Sequence, residues 1–262
     1  MEHNIENIES KDIPFLLQWY MDSGVDESIG DETLDWFALS SLTVPQTTVL
    51  AKATAIVPVE QIAQEANRLA RACNSLTELN EVIRNFDGCH LKKTATHTVF
   101  CDGNPNSRIM LVGGSPGVDE DRHGRPFAGE SGQLLDRMFK AINLSREKDF
   151  YMANILPWRP PGNRAPTAEE ITICLPFIKR HMELFDPELI ILLGGISAAT
   201  LLNNPVGITR LRGKWAEYDL NGRKIPVRPL FHPAYLLRQP KAKGDTWEDL
   251  LDIKARIEML AL

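Results

Sequence analysis

No stretch of this 262-residue chain is apolar for long enough to span a bilayer. The longest apolar run, Leu189 to Leu202, is too short and is interrupted by Gly194, Gly195 and Ser197. Cysteine is scarce: there are four, without regular pairing, and no secretory signal opens the chain. A disulfide scaffold is therefore excluded, and a reducing cytoplasmic setting is expected. Positive charge is not in excess either. The 29 Lys and Arg are outnumbered by 35 Asp and Glu, for a net charge of −6. That argues against a protein that coats nucleic acid nonspecifically, although a local basic face remains compatible with it. Also missing are the GK[ST] ending of a phosphate loop and the G-x-G-x-x-G of a dinucleotide site.

What remains is the composition of an ordinary globule, with 43% hydrophobic and 24% charged residues. The length suits one large α/β domain plus an appendage. Residues 1–40 are acidic, with apolar residues at helical spacing (Phe15, Leu16, Trp19, Tyr20), and residues 41–58 read as a linker. Two amphipathic helices follow. The first carries Ile62, Ala66, Leu69 and Cys73 on one face, and the second is capped by Ser75 with Glu78 three residues on. The division expected is an N-terminal helical extension and linker over 1–88 and an α/β domain over 89–262.

From residue 109 strands and helices alternate. Apolar runs at 109–112 and 189–193 read as buried strands, and the largely apolar segments 150–156 and 225–231 as two more. Helices are expected at 132–143, after Thr167 with Glu170 as its capping partner, and after Asp245 with Glu248. This alternation implies a mostly parallel sheet covered on both faces, a three-layer α/β/α sandwich with its ligand site in the loops after the strands. The stretch Arg108 to Gly132, RIMLVGGSPGVDEDRHGRPFAGESG, has the strand–glycine turn–helix form of such a site. At or near the starts of the converging loops stand Ser115, Phe127, Asn154 and His232. An aromatic face, an amide and an imidazole suit a planar heterocycle. Arg159, Arg164, Arg210, Arg212, Lys214, Arg238, Lys241 and Lys243 lie in the same loops and suit an anionic ligand.

The pieces GGSPGVDEDRHGRPFAGESGQLLDRM, NILPWRPPGNRAPTAEE, LIILLGG, ITRLRGKW and HPAYLLRQPKAK resemble, in order and spacing, the family-4 members of the uracil-DNA glycosylase superfamily. The resemblance runs from about Cys89 to Leu260 and leaves out roughly the first 80 residues. It implies a four-stranded, mainly parallel sheet between helices, and excision of uracil from DNA by hydrolysis of the N-glycosidic bond. Residue by residue, it makes Phe127 the ring that stacks on the flipped base and Asn154 the amide that pairs with the uracil edge. His232 becomes the imidazole that hydrogen-bonds uracil O2, while Leu236, Leu237 and Arg238 form the loop that enters the duplex. Arg159, Arg164, Arg210, Arg212 and Lys241 are the further candidates for DNA contact. Uracil-containing DNA, single- or double-stranded, is the expected partner, with no membrane, and the protein is expected to be a monomer.

Two positions depart from the family pattern. The family reads GEAPG at the glycine turn, and its Glu is taken to activate or position water; here that position is Gly114, followed by Ser115. Ser115 and Glu120 are the substitute candidates, beside Asp119 and Asp121. The small Gly114 and Gly117 would leave room beside the base, which keeps hypoxanthine and xanthine open as further substrates. The family also binds an iron–sulfur cluster through four cysteines. The matching positions here are Phe86, Cys89, Trp158 and Cys174, so no cluster or other metal is expected, because a cubane needs its full thiolate set.

Two rivals stand beside the glycosylase. GGSPG satisfies the G-x-S-x-G nucleophile elbow, but the residue after the serine is Pro116, which has no N–H for an oxyanion hole. A catalytically impaired homologue that binds uracil-containing or damaged DNA is the alternative function. The retention of Asn154 and His232 weighs against it.

Overall fold

The computed structural model describes residues 58–262. The acidic arm and the linker up to residue 57 lie outside the described residues. Two helices open the described chain, α1 (Val59–Ala72) and α2 (Leu76–Asn85), with a short turn α3 (Leu91–Thr94) after them. Strands β1 (Asp102–Gly103), β2 (Ile109–Gly113), β3 (Phe150–Asn154), β4 (Leu189–Leu193), β5 (Ala216–Leu220) and β6 (Arg223–Leu230) form one sheet in the order β1-β3-β2-β4-β6-β5. Between and after them run α4 (Val118–His123), α5 (Glu130–Lys140), α6 (Ala168–Phe185), α7 (Gly195–Leu201), α8 (Ile208–Leu211), α9 (Pro233–Arg238) and α10 (Lys243–Leu260).

The four expected strands are the parallel ones, β3-β2-β4-β6. The sheet has six strands rather than four, because β1 and β5 add antiparallel edges. Both were silent in the sequence: β1 is two residues long, and β5 alternates exposure as an edge strand does. The layers follow from strand period. Met110 and Val112 pack on one face with Ala66, Leu79, Cys174 and Ile178, which belong to α1, α2 and α6. Ile109 and Leu111 point the other way, into a core with Leu135, Phe139, Leu250 and Ile253 from α5 and α10. Helices α1 and α2, expected in the N-terminal extension, thus pack in the same core as the sheet.

The chain passes from β2 to β3 on one side and then crosses to β4 on the other. The loops after β2 and β4 consequently diverge, and they open the crevice at the carboxyl edge where an α/β sheet takes its ligand. The start of α10 differs from expectation. The helix begins at Lys243, with Thr246 Oγ1 donating to the Ala242 carbonyl, so Asp245 sits within the first turn rather than capping it.

Helix α6 begins as expected, with Thr167 Oγ1 accepting from Glu170 N–H and the Glu170 carboxylate accepting from Thr167 N–H. That buried carboxylate also accepts two bonds from Arg164, at 2.9 and 2.5 Å, and lies 2.8 Å from His90 Nε2. The Arg164 contacts first, then the Thr167 N–H, hold its pKa down at about 2 against burial, which acts to raise it. A carboxyl with a folded pKa below its unfolded value stabilises the fold above the unfolded value, and that contribution is lost as pH falls. Glu170→Ala should therefore cost about 2–3 kcal/mol in urea unfolding at pH 7. The difference from wild type should shrink as pH drops from 4.5 toward 2. A variant as stable as wild type at pH 7 would contradict this role.

Candidate active site

At the carboxyl end of β2, Gly113 is paired in register with Asn154 at the end of β3. The strand needs glycine there. A Cβ on Gly113 would lie 2.3 Å from Asn154 Oδ1 and 2.9 Å from Phe127 Cζ, so both side chains cross over this one residue. Phe127 reaches the spot from the loop between α4 and α5, with a left-handed backbone (φ 53°). His232 follows β6 and heads α9, and its ring lies 5.7 Å from that of Phe127 between centroids, the planes inclined by 29°. The three side chains singled out in the sequence face one cavity of about 250 Å³, together with Ser115, Gly117 and Glu120. Arg238 lies on its wall as well.

The electrostatics of the cavity are set by His232. Its Nδ1 accepts the N–H of Ala234 at 3.2 Å, so a neutral ring carries its proton on Nε2. Burial, and then the charge of Arg238, lowers its pKa to about 4. The imidazole is accordingly neutral near pH 7 and keeps one ring N–H to donate. Asn154 is 9% exposed, forms no side-chain hydrogen bond among the described residues, and lines the cavity, where a ligand or water can meet its amide.

The glycine turn is closely packed: at Gly114, one of the positions singled out for substrate, a Cβ would lie 3.1 Å from Ile196 Cβ. The space opposite Gly117 is likewise taken, since a Cβ there would meet Glu120 Oε2 at 2.7 Å. Glu120 has a local duty, because its Oε2 accepts the Gly117 N–H at 2.9 Å at the start of α4. Asp121 turns away from the cavity and accepts N–H bonds from Thr96 and His97.

Among the expected DNA contacts, the structure separates three from the rest. Leu236 is buried with Leu134 and Phe231 in an apolar cluster. Arg164 is committed to the buried Glu170. Arg212 bonds Asp249 at 2.7 Å and lies over the Phe231 ring at 5.6 Å. Arg210, Arg238 and Lys241 are exposed, and Leu237 is half-buried. Arg159 is half-buried and donates to Asn163 Oδ1 at 2.6 Å. Asn163 and Ser131 also line the cavity, and the sequence reasoning missed both. Asn163 had a readable signal, since Gly-Asn in a proline-rich loop favours the left-handed backbone it adopts (φ 55°).

The positions matching the cluster ligands lie in the buried core with α1, α2 and α6. The neighbouring thiols of Cys89 and Cys174 shift each other, the Cys89 pKa down and that of Cys174 up. Phe86 packs edge-on against Phe177, with centroids 5.0 Å apart, and the Trp158 indole donates to Thr98 Oγ1 at 3.1 Å. Two thiols and two carbon-packed rings do not fit a cubane, and no group of three potential metal ligands occurs among the described residues.

A model of the uracil DNA glycosylase superfamily matches residues 100–251, a span that contains every cavity residue named above. The type-4 uracil-DNA glycosylase of Archaeoglobus fulgidus is 37% identical over 183 residues, 68% of this chain and 92% of the relative. That of Sulfurisphaera tokodaii is 36% identical over 186 residues, 69% of this chain and 84% of its own. The Thermotoga maritima enzyme of the same type is 38% identical over 161 residues, 61% and 82% of the two chains. Together with the parallel sheet and the cavity at its carboxyl edge, these identities show that the chain belongs to the uracil-DNA glycosylase superfamily.

Proposed function

We propose that this protein is a DNA repair glycosylase that takes uracil out of the DNA stack and hydrolyses its N-glycosidic bond, leaving an abasic site. The observation that carries the reading is the shared cavity of Phe127, Asn154 and a neutral, Nε2-protonated His232. Its volume of about 250 Å³ falls below the ~300–1,000 Å³ of drug-sized sites, which suits a single planar ring. Flipping costs a few kcal/mol of unstacking. Phe127 returns part of that by covering the base, and Asn154 satisfies its unpartnered amide on the uracil edge. As C1′–N1 breaks, the electron pair leaves with the base, and the charge gathering on O2 meets the Nε2–H of His232. A donor fixed in place before charge develops costs no reorganisation. Water adds to C1′ and its proton passes to Glu120 or to solvent, with Ser115 Oγ holding the oxygen. Arg238 at the cavity wall, with the exposed Arg210 and Lys241, meets phosphate. Leu237, rather than Leu236, fills the vacated stack.

The type-4 relatives carry the name of uracil-DNA glycosylases, which supports turnover over binding alone. Incubation with a single-stranded uracil oligonucleotide, then alkali, should give strand scission; tight binding without scission would favour the impaired homologue. His232→Ala should lower kcat/KM about 10- to 150-fold, the equivalent of ~1.5–3 kcal/mol for a hydrogen bond to a charged group. Because the His232 pKa lies near 4, the imidazole is neutral above that value. The wild-type rate should then show no histidine inflection between about pH 5 and 8, and an inflection near the ordinary 6.5 of histidine would refute the assignment.

For the water, Glu120→Gln and Ser115→Ala are expected each to slow turnover, within the ~10²–10⁴ that acid–base assistance supplies. Full activity in both would exclude this pair. We further propose that the active protein holds no iron–sulfur cluster. Metal analysis of freshly purified protein should find no stoichiometric iron at full activity, and iron lost in parallel with activity on chelation would overturn that.

A further inference from the structure

Phe127 presents its ring to the cavity from a left-handed backbone, which an aromatic residue adopts only when its surroundings impose it. Two things do so on the side away from the cavity. The Phe127 carbonyl comes so close to the first turn of α5 that a Cβ on Gly132 would lie 1.8 Å from its oxygen. The same carbonyl accepts from Arg146 Nη2 at 3.0 Å.

Arg146 stands in the turn between α5 and β3, with a side chain only 14% exposed. Its Nη1 donates to Asp102 Oδ2 of β1 at 2.8 Å and lies 3.4 Å from the Pro126 carbonyl, and its Nε donates to Asp136 Oδ1 of α5 at 2.9 Å. The guanidinium is thereby held from two sides by carboxylates on rigid elements. Its remaining donors are aimed at the two carbonyls that flank the turn into Phe127. Only a planar fork can meet acceptors in these separate directions at once.

Resting on the glycosylase reading above, we infer that Arg146 is a positioning residue for base capture. It transmits the fixed geometry of β1 and α5 to the Phe127 backbone and so sets the plane on which the base stacks. Arg146 does not line the cavity of His232 and Asn154, and its bond to the Phe127 carbonyl is the contact that links it there; it also lines a separate cleft with Arg125 and Glu147.

A double-mutant cycle tests this on the full-length protein with a uracil oligonucleotide. Arg146→Ala should lower kcat/KM by about 10²-fold, the scale of an ångström-sized misplacement. In a Phe127→Ala background the same change should cost no more than about twofold, because the two act as one unit. Equal losses in both backgrounds would overturn the inference, since a general loss of stability multiplies through regardless of Phe127. Arg146→Lys keeps the charge and not the fork, so it should restore less than half of the lost rate; complete restoration would also count against the inference. Should the wild type release no uracil, the glycosylase reading fails, and the Arg146 claim is then decided by crystallography. In Arg146→Ala or, if that variant does not fold, Arg146→Lys, Phe127 should leave the left-handed region. A φ retained near 53° would refute the claim.

Discussion

The chemistry proposed for this protein depends on one hydrogen bond, from the Ala234 N–H to His232 Nδ1. The N–H belongs to the first turn of a helix, where backbone donors lack intrahelical partners, so an acceptor side chain at the helix cap is locally favourable. Here the cap is an imidazole. Using Nδ1 as the acceptor leaves Nε2 as the donor, and burial keeps the ring from taking a second proton. A capping interaction thus determines a tautomer, and the tautomer determines what the cavity offers an anion leaving a sugar.

The rest of the structure places this donor. Four parallel strands end at one edge, and the sheet's change of direction at β2 opens the crevice. Gly113 lets the Asn154 amide and the Phe127 ring cross where any side chain would block them. The glutamate common at position 114 in the family is absent from this chain, and Ile196 closes the space toward which its side chain would start. Away from the site, Phe86 and Trp158 pack carbon where the family places metal-binding sulfur. Hydrophobic burial holds α1 and α2 against α6 with those rings.

Much of this was legible in the sequence for a physical reason. Strands buried on both faces read as near-continuous apolar runs, so β2, β3 and β4 were visible, and β6 showed through its apolar second half although it carries Arg228. Ser75 and Thr167 announced their helices because a hydroxyl that accepts an N–H three residues on is a local property. The glycine turn, Asn154 and His232 could be read because each stands at or just beyond a strand end, and Phe127 because it lies in the long connection that follows β2. Properties that depend on distant partners could not be read. Leu236 and Leu237 are adjacent and alike, and only the tertiary core decides that Leu236 turns inward to Leu134. Arg164 and Arg212 look like free cations until Glu170 and Asp249 come into reach. The left-handed Phe127 and its support by Arg146, 19 residues away in the chain, leave no local signature.

The account comes down to where one proton resides, and nitrogen-15 NMR of histidine-labelled protein at pH 7 reads that directly. It predicts that the His232 ring is neutral, with a protonated Nε2 and a bare Nδ1, and that Nε2 is the nitrogen perturbed when uracil-containing DNA binds. An imidazolium, or a neutral ring with its proton on Nδ1, would contradict it.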